Sequence, residues 1–371
     1  MRSKKILIFL ILISTKSLYA DSFKSEDYNI QAEIISDQLE HPWSLVFLPS
    51  QDILISERTG NLRKVTKAGF LQKQPIQGLP DIKQNGQGGL LDLAIHPLFK
   101  ENRLLYFSFS EETEQGLGTA VAYGTLEKNK IKNVKVIFRL TPKSNTNYHF
   151  GSRLIFDKDN FLYITLGDRG SRPRAQNLND HAGSIIRIYD DGSIPEDNPF
   201  FNLPGHKQEI FSYGHRNVQG IAIHPTVNAI WAHEHGPQGG DELNIVTSGT
   251  NYGWPVITYG KNYVFGTDIG EGTHKKGMAQ PIRFWVPSIA PSGMIFYTGD
   301  KFKKWRGNLL IGSLKFQQLV RLKLKKNDVV TEERLFSEKF GRIRDVKQGP
   351  NGYIYLLTDS KNGKLIKLKP Q

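Results

Sequence analysis

Six stretches of this chain share one grammar: an alternating apolar run, a turn built on Pro, Gly, Asp or Asn, then a second apolar run that ends in polar residues. They read SLVFLPSQDILISER from Ser44, LDLAIHPLFKENRLLYFSFS from Leu91, SRLIFDKDNFLYITLGD from Ser152, QGIAIHPTVNAIWAHEH from Gln219, SGMIFYTGDKFKKWRGNLLIGSLK from Ser292 and RDVKQGPNGYIYLLTDS from Arg344. Each predicts a β-hairpin. Their starts are spaced unevenly, which suits propeller blades carrying variable insertions better than a solenoid of tight repeats. No long segment carries a 3.6-residue apolar period with capping residues. A pair of β-sandwiches is the plain alternative, but no Pro/Ser-rich linker separates two halves. The pattern therefore predicts an all-β fold, a six-bladed β-propeller spanning 21–371. The tail GKLIKLK from Gly363 is expected to pair with N-terminal strands and close the ring. Thr141–Tyr148 and Trp254–Pro287 are expected to be loops on the binding face.

The first twenty residues are expected to be a signal peptide. Arg2, Lys4 and Lys5 precede the apolar run Ile6–Ile13, and Ala20 is a small residue at a plausible cleavage point; the run is short for a spanning helix. That reading places the mature chain in the periplasm or outside the cell, with no membrane span. The formal charge of the whole sequence is +13. Removing residues 1–20 takes away four cations and no anions, leaving +9. The lysines are dispersed rather than blocked, so nucleic acid is not an expected partner, and a specific anion site is. The chain has no Cys, which excludes disulfides and thiol chemistry.

The densest chemistry lies between Tyr213 and Trp254, where His215, Arg216, His233, His235, Asp241 and Glu242 surround tight glycine turns. In a propeller, residues at the same point of different repeats converge near the central channel. At or beside the hairpin ends stand His149, Asp168, Arg216, Lys315, Arg342 and Arg344, with Gln87 in the turn before the second hairpin. Four cations in one partly desolvated pocket repel one another unless a polyanionic ligand sits among them. His149 could serve as a general base if a carboxylate fixed its tautomer, or be a hydrogen-bonded structural histidine. Asp168 could equally form a turn. Arg342 and Arg344 alternate in RIRD, so on a strand both face one side. In HEHGPQGGDELN, His233 and His235 suggest zinc only weakly, because no third ligand is placed. Main-chain carbonyls at Gly236-Pro237 together with Glu242 would suit a hard cation such as calcium. Composition leaves the two open.

With those residues in hand, the chain resembles the soluble pyrroloquinoline-quinone (PQQ) dependent sugar dehydrogenases, most closely their aldose sugar dehydrogenase branch. HPWSLVFLP, GQGGLLDLAIHP, HFGSRLIFD, YITLGDRG, YGHRNVQGIA, HEHGPQGGDELN, NYGWP, PSIAPSGMIFY, GSLK and RIRDV carry the resemblance in order over nearly the whole mature chain. It implies a six-bladed propeller that oxidises aldose sugars at the anomeric carbon. His149 would take the proton of the anomeric hydroxyl, Asp168 would orient His149, and Arg216 would stabilise negative charge on the quinone oxygen. Lys315, Arg342 and Arg344 match positions that hold the cofactor's carboxylates, with Gln87, Asn217 and Tyr263 as further contacts. The carbonyls of Gly236 and Pro237 match ligands of a catalytic Ca2+, and Glu242 and the carbonyl of Tyr252 match metal positions of the aldose branch. Shorter connections between blades than in the dimeric glucose dehydrogenases imply a broader aldose range and a monomer. A quinone or a cytochrome would take the electrons. The competing readings are a propeller that binds carbohydrate or protein without turnover, and a calcium-dependent propeller hydrolase.

Overall fold

The computed structural model describes residues 21–371, so the expected signal peptide lies outside the described residues. Six antiparallel sheets account for the strands. Their innermost strands are Pro42–Phe47, Leu90–Ile95, Leu154–Phe156, Val218–Ile223, Pro291–Phe296 and Ile343–Gln348. Each innermost strand packs against the next around the ring, and the last packs against the first. All six predicted hairpins supply the first two strands of a blade. Among the described residues the only α-helix is Phe99–Asn102, and no helix is long and apolar enough to cross a membrane.

Blade one has three strands and blades two to five have four. Blade six is composite: Ile343–Gln348, Ile354–Thr358 and Gly363–Pro370 come from the C-terminal end, and Asn29–Leu39 adds beside Gly363–Pro370 from the other end of the chain. Ile30 pairs with Pro370, Ala32 with Leu368 and Ile34 with Ile366. The tail thus meets an N-terminal strand, as expected. Joining the two ends of the chain inside one sheet means the ring cannot open without breaking that ladder. Arg321 reinforces it: this buried guanidinium pairs with Glu26, Asp27 and Glu333.

Alternation along the strands turns apolar side chains into the spaces between sheets. Blades five and six share Tyr297, Trp305, Leu310, Ile343, Leu356 and Ile366 in one cluster. Blade two packs on blade one through Leu54, Leu62, Leu93, Phe107 and Phe109. One expectation is corrected in part: Trp254–Pro287 is not loop throughout, because Arg283–Trp285 pairs with Asp241–Leu243 as the outer strand of blade four. In five blades the register between the first two strands shifts near the beginning of the inner strand. Bulges of this kind re-aim side chains and suit the rim of a site. All five lie on one face of the ring.

Candidate active site

His149 sits on that face, in the segment that leads to the inner strand of blade three. Its backbone is left-handed (φ 56°), an uncommon conformation for a residue with a side chain. Several contacts hold it there. The His149 N–H donates to Gln87 Oε1 at 2.8 Å. The buried Arg169 guanidinium donates to the carbonyls of Tyr148 and Thr146, each at 2.5 Å, and covers the Phe150 ring. Gly167 admits the close approach of the neighbouring strand: a Cβ there would lie 2.2 Å from the His149 carbonyl oxygen.

The His149 side chain meets Asp168, with Nδ1 at 2.6 Å from Oδ1. Asp168 also accepts from the Gly170 N–H at 2.7 Å and from Trp254 Nε1–H at 2.8 Å. Burial alone would raise the Asp168 pKa, but the bond from His149 and the charge of Arg216 outweigh it and hold the group below the usual carboxylate range. An ionised carboxylate only accepts, so Nδ1 of His149 carries the proton and Nε2 keeps its lone pair. Burial lowers the His149 pKa, and the nearby Arg216 and Arg169 cations lower it further against the pull of Asp168. At neutral pH the ring is an uncharged base with a fixed tautomer.

Arg216 is immobilised from three sides. Its N–H donates to Glu234. Its Nη1 donates to the carbonyls of His235 and Gly236 at 2.9 and 2.8 Å, and its guanidinium lies 5.4 Å from the Trp254 ring centroid. Trp254 therefore touches both Asp168 and Arg216.

Beside this group, at the mouth of the central channel, lies a cavity of about 250 Å³ whose lining includes Trp43, Arg58, Gln87, Asn217, Arg342 and Arg344. Arg344 and Arg342 share Asp359, at 2.7 and 3.6 Å, and Arg344 Nη1 donates to Gln219 Oε1 at 3.3 Å. Burial would raise the Asp359 pKa, but Arg344, with His41 and Arg58, carries it far below the ordinary carboxylate range. Of the four cations expected to share one pocket, Arg342 and Arg344 line this cavity, while Arg216 lines a neighbouring recess. One carboxylate already orients two of the guanidiniums, and Arg216 is engaged with carbonyls. Three arginines against one aspartate still leave the cavity cationic. Its cationic lining, with aromatic Trp43 and Phe150, suits the chemistry of a planar polycarboxylate. Lys315 is exposed and does not line the cavity, although its N–H bonds to Ile289, next to the lining residue Ala290. Tyr263 is 58% exposed, and its hydroxyl donates to the Pro237 carbonyl at 2.9 Å.

A second, much smaller recess is lined by Arg216, Glu234, Gly236, Glu242, Tyr252 and Trp254. Burial and the neighbouring Glu234 carboxylate hold Glu242 well above the usual carboxylate range. Asn244 Nδ2 donates to Glu242 Oε2 at 3.3 Å. Glu234 is engaged by His215 Nδ1 at 2.8 Å and by the Arg216 N–H, so Glu242 is the carboxylate in this recess with acceptor capacity left for a hard cation. Three of the four expected metal residues, Gly236, Glu242 and Tyr252, line this recess. Pro237 is not among its lining residues, and its carbonyl accepts from Tyr263. Among the described residues no cluster of three or more His, Cys, Asp and Glu side chains forms a metal site. His235 instead donates to the Pro291 carbonyl at 2.6 Å, and His233 is buried against Gly220.

Arg58, Trp254, Asp359, Trp43 and Gln219 were not singled out from sequence. A positional signal existed for two of them. Arg58, Asp168, Lys315 and Asp359 all follow the second strand of a blade within three residues, so aligning the hairpins by that strand end would have found Arg58 and Asp359.

Comparison with known proteins fits this geometry. The family model described as Glucose / Sorbosone dehydrogenase matches residues 39–367. The chain is 44% identical over 347 residues to aldose sugar dehydrogenase YliI of Escherichia coli (strain K12), covering 92% of this chain and 93% of that protein. The crystal structure of the soluble aldose sugar dehydrogenase from Escherichia coli in the apo-form superposes with a TM-score of 0.89 at 44% identity, over 92% of this chain and all of that one. The PQQ-bound form of aldose sugar dehydrogenase from Streptomyces coelicolor gives 0.75 at 25% identity, over 92% and 98% of the two chains. Blade order, the ring of inner strands and a match across nearly the whole described chain lead to one conclusion: this protein belongs to the glucose/sorbosone dehydrogenase family of oxidoreductases.

Proposed function

We propose that this protein is a periplasmic or secreted dehydrogenase that oxidises aldose sugars at the anomeric carbon to lactones, using PQQ and Ca2+. The observation that carries the reading is the His149–Asp168 pair, a neutral base with its Nε2 free, set beside Arg216 and a cationic cavity. When bound, PQQ supplies a quinone carbon that accepts hydride. His149 Nε2 takes the proton of the anomeric hydroxyl, and Asp168 stabilises the imidazolium that results. Arg216, held rigidly by its carbonyl partners, presents positive charge where negative charge develops. Arg58, Arg342 and Arg344 would meet the cofactor carboxylates in the cavity, with Asn217 and Gln87 as polar contacts from its lining; Lys315 and Tyr263, which do not line it, would reach the cofactor from outside. Gly236, Glu242 and Tyr252 would hold calcium, which acts as a Lewis acid in such sites. A quinone or a cytochrome would receive the electrons.

Reconstitution tests the reading. The mature chain, purified without cofactor, is given PQQ and Ca2+ singly and together, and dye reduction is followed with glucose and other aldoses. Activity that requires both additions is expected. Folded protein that binds no PQQ would overturn the proposal.

A further inference from the structure

Beneath the cationic cavity the channel is closed by a buried ion cluster centred on Arg153. Arg153 Nη1 lies 3.3 Å from Asp92 Oδ1 and 3.0 Å from Asp345 Oδ1. Nη2 donates to the Arg344 carbonyl at 3.1 Å and Nε to the Gln219 carbonyl at 2.8 Å. The guanidinium also lies 4.1 Å from the ring centroid of Trp43, which lines the cavity above.

The cluster draws on every blade. Asp92 accepts from Ser44 Oγ at 2.5 Å and from the Leu154 N–H at 2.7 Å, and Asp345 accepts from the Leu45 N–H at 3.2 Å. Blade five contributes by having no side chain: a Cβ at Gly293 would lie 2.1 Å from Asp345 Oδ1. Below the cluster the channel opens into a separate apolar funnel lined by Leu45, Ile95, Phe156, Ile223, Met294 and Phe296, with Arg153 and Asp92 as its polar roof.

We propose that Arg153 is a positioning residue of the cofactor cavity, acting through the two carbonyls it holds; this rests on the PQQ reading above. The two residues whose backbones it grips are those whose side chains meet across the cavity, Arg344 Nη1 and Gln219 Oε1. Gln219 in turn donates to the Gly151 carbonyl at 3.1 Å. A planar fork can serve two carboxylates and two carbonyls at once, because its N–H groups point in fixed divergent directions. An ammonium cannot. Arg153→Lys therefore keeps the charge between Asp92 and Asp345 but releases the Arg344–Gln219 pair.

The test compares PQQ affinity, read by absorbance or fluorescence titration of the calcium-loaded chain, in wild type, R153K, R344Q and the double variant. R153K is expected to raise the PQQ Kd about tenfold, the scale of one charge-assisted hydrogen bond, with the sugar KM at saturating PQQ unchanged. In the R344Q background the same substitution is expected to have less than about a threefold effect, since residues that act through one another are not additive. Equal PQQ affinity in R153K and wild type, or full additivity with R344Q, overturns the inference and leaves the functional reading standing. A wild type that takes up no PQQ removes both. Should R153K fail to fold, Asp92→Asn, which keeps Arg153 and weakens its anchor, is expected to raise the Kd about threefold; an unchanged Kd there overturns the inference.

Discussion

His149 and Asp168 lie nineteen residues apart in the chain and 2.6 Å apart in space, and the pair works only because each is held from behind. Gln87 and Arg169 fix the left-handed turn that presents the histidine, while Trp254 and the Gly170 N–H fix the carboxylate. His149→Ala should therefore lower kcat by roughly 10²–10⁴-fold, the usual weight of a positioned base, and leave PQQ affinity unchanged, because His149 is not part of the arginine-lined cavity. The pH dependence has a defined sign. The base acts when neutral, and burial with Arg216 lowers its pKa. Wild-type kcat/KM should thus be level across neutral pH and fall only on acidification below the ordinary histidine range. A midpoint above that range would contradict a buried imidazole flanked by Arg216.

Trp254→Phe isolates one hydrogen bond. It keeps an aromatic ring beside Arg216 and removes the donor to Asp168 Oδ2. A buried carboxylate left one donor short costs about 1–3 kcal/mol of stability. The less stabilised carboxylate also holds the imidazole proton more tightly, so the acid limb of kcat/KM should move to higher pH. Thermal unfolding and a pH profile check the two effects separately, and an unmoved pH profile would show that Trp254 serves packing alone.

How much of this could be read from the chain follows from where the partners lie. The six hairpins were legible because each alternating run and its turn are contiguous, and period-two patterning is a local signal. His149, Asp168 and Arg344 were legible because polar residues at hairpin ends stand out against apolar strands. Trp254 was not: it lies 86 residues from Asp168, and a tryptophan in NYGWP reads as core. Asp359 in LLTDS reads as a turn residue until the fold brings it against Arg344. Arg153 was hidden by its setting, since a single arginine beside an apolar strand gives no sign of five backbone and side-chain partners in other blades. Two further placements could not be read from the chain: Lys315 is exposed and the Pro237 carbonyl accepts from Tyr263, and a hairpin position does not determine which way a long side chain or a carbonyl turns.

Arg344 and Asp359 make opposite contributions and should separate in experiment. Arg344→Gln removes a cavity cation and leaves Asp359 less compensated in the cavity proposed to hold an anion. PQQ Kd should rise by roughly 10–100-fold, on the scale of a charge-assisted bond. Asp359→Asn removes a negative charge from the same cavity while loosening both arginines, so its effect on PQQ affinity should be smaller and its effect on stability larger. The folded-state pKa of Asp359 is depressed, so its stabilising contribution is present above the pKa of an unfolded aspartate and is lost as pH falls toward the depressed value. The difference in unfolding free energy between wild type and D359N should be constant near neutrality and shrink in acid. Greater loss of PQQ affinity in D359N than in R344Q would invert the assigned roles.

Calcium can be tested without turnover. Glu242 and Glu234 line one small recess together with Gly236 and Tyr252, and the Glu234 charge beside buried Glu242 destabilises the metal-free site. A ligand that binds only the folded chain stabilises it by RT ln(1 + [L]/Kd), about 2.7 kcal/mol at one hundred times Kd. Added Ca2+ should therefore raise the unfolding temperature of the PQQ-free protein, and a chelator should reverse the rise. In Glu242→Gln one of the two carboxylates is gone. The repulsion is relieved, so the variant without calcium should be at least as stable as wild type, and the calcium-dependent rise should largely disappear. Magnesium should substitute poorly, because it demands tighter octahedral geometry than a recess of glutamates and strand-end carbonyls provides. An equal calcium response in wild type and E242Q would remove Glu242 from the metal site and return the ion to the Gly236-Pro237 turn.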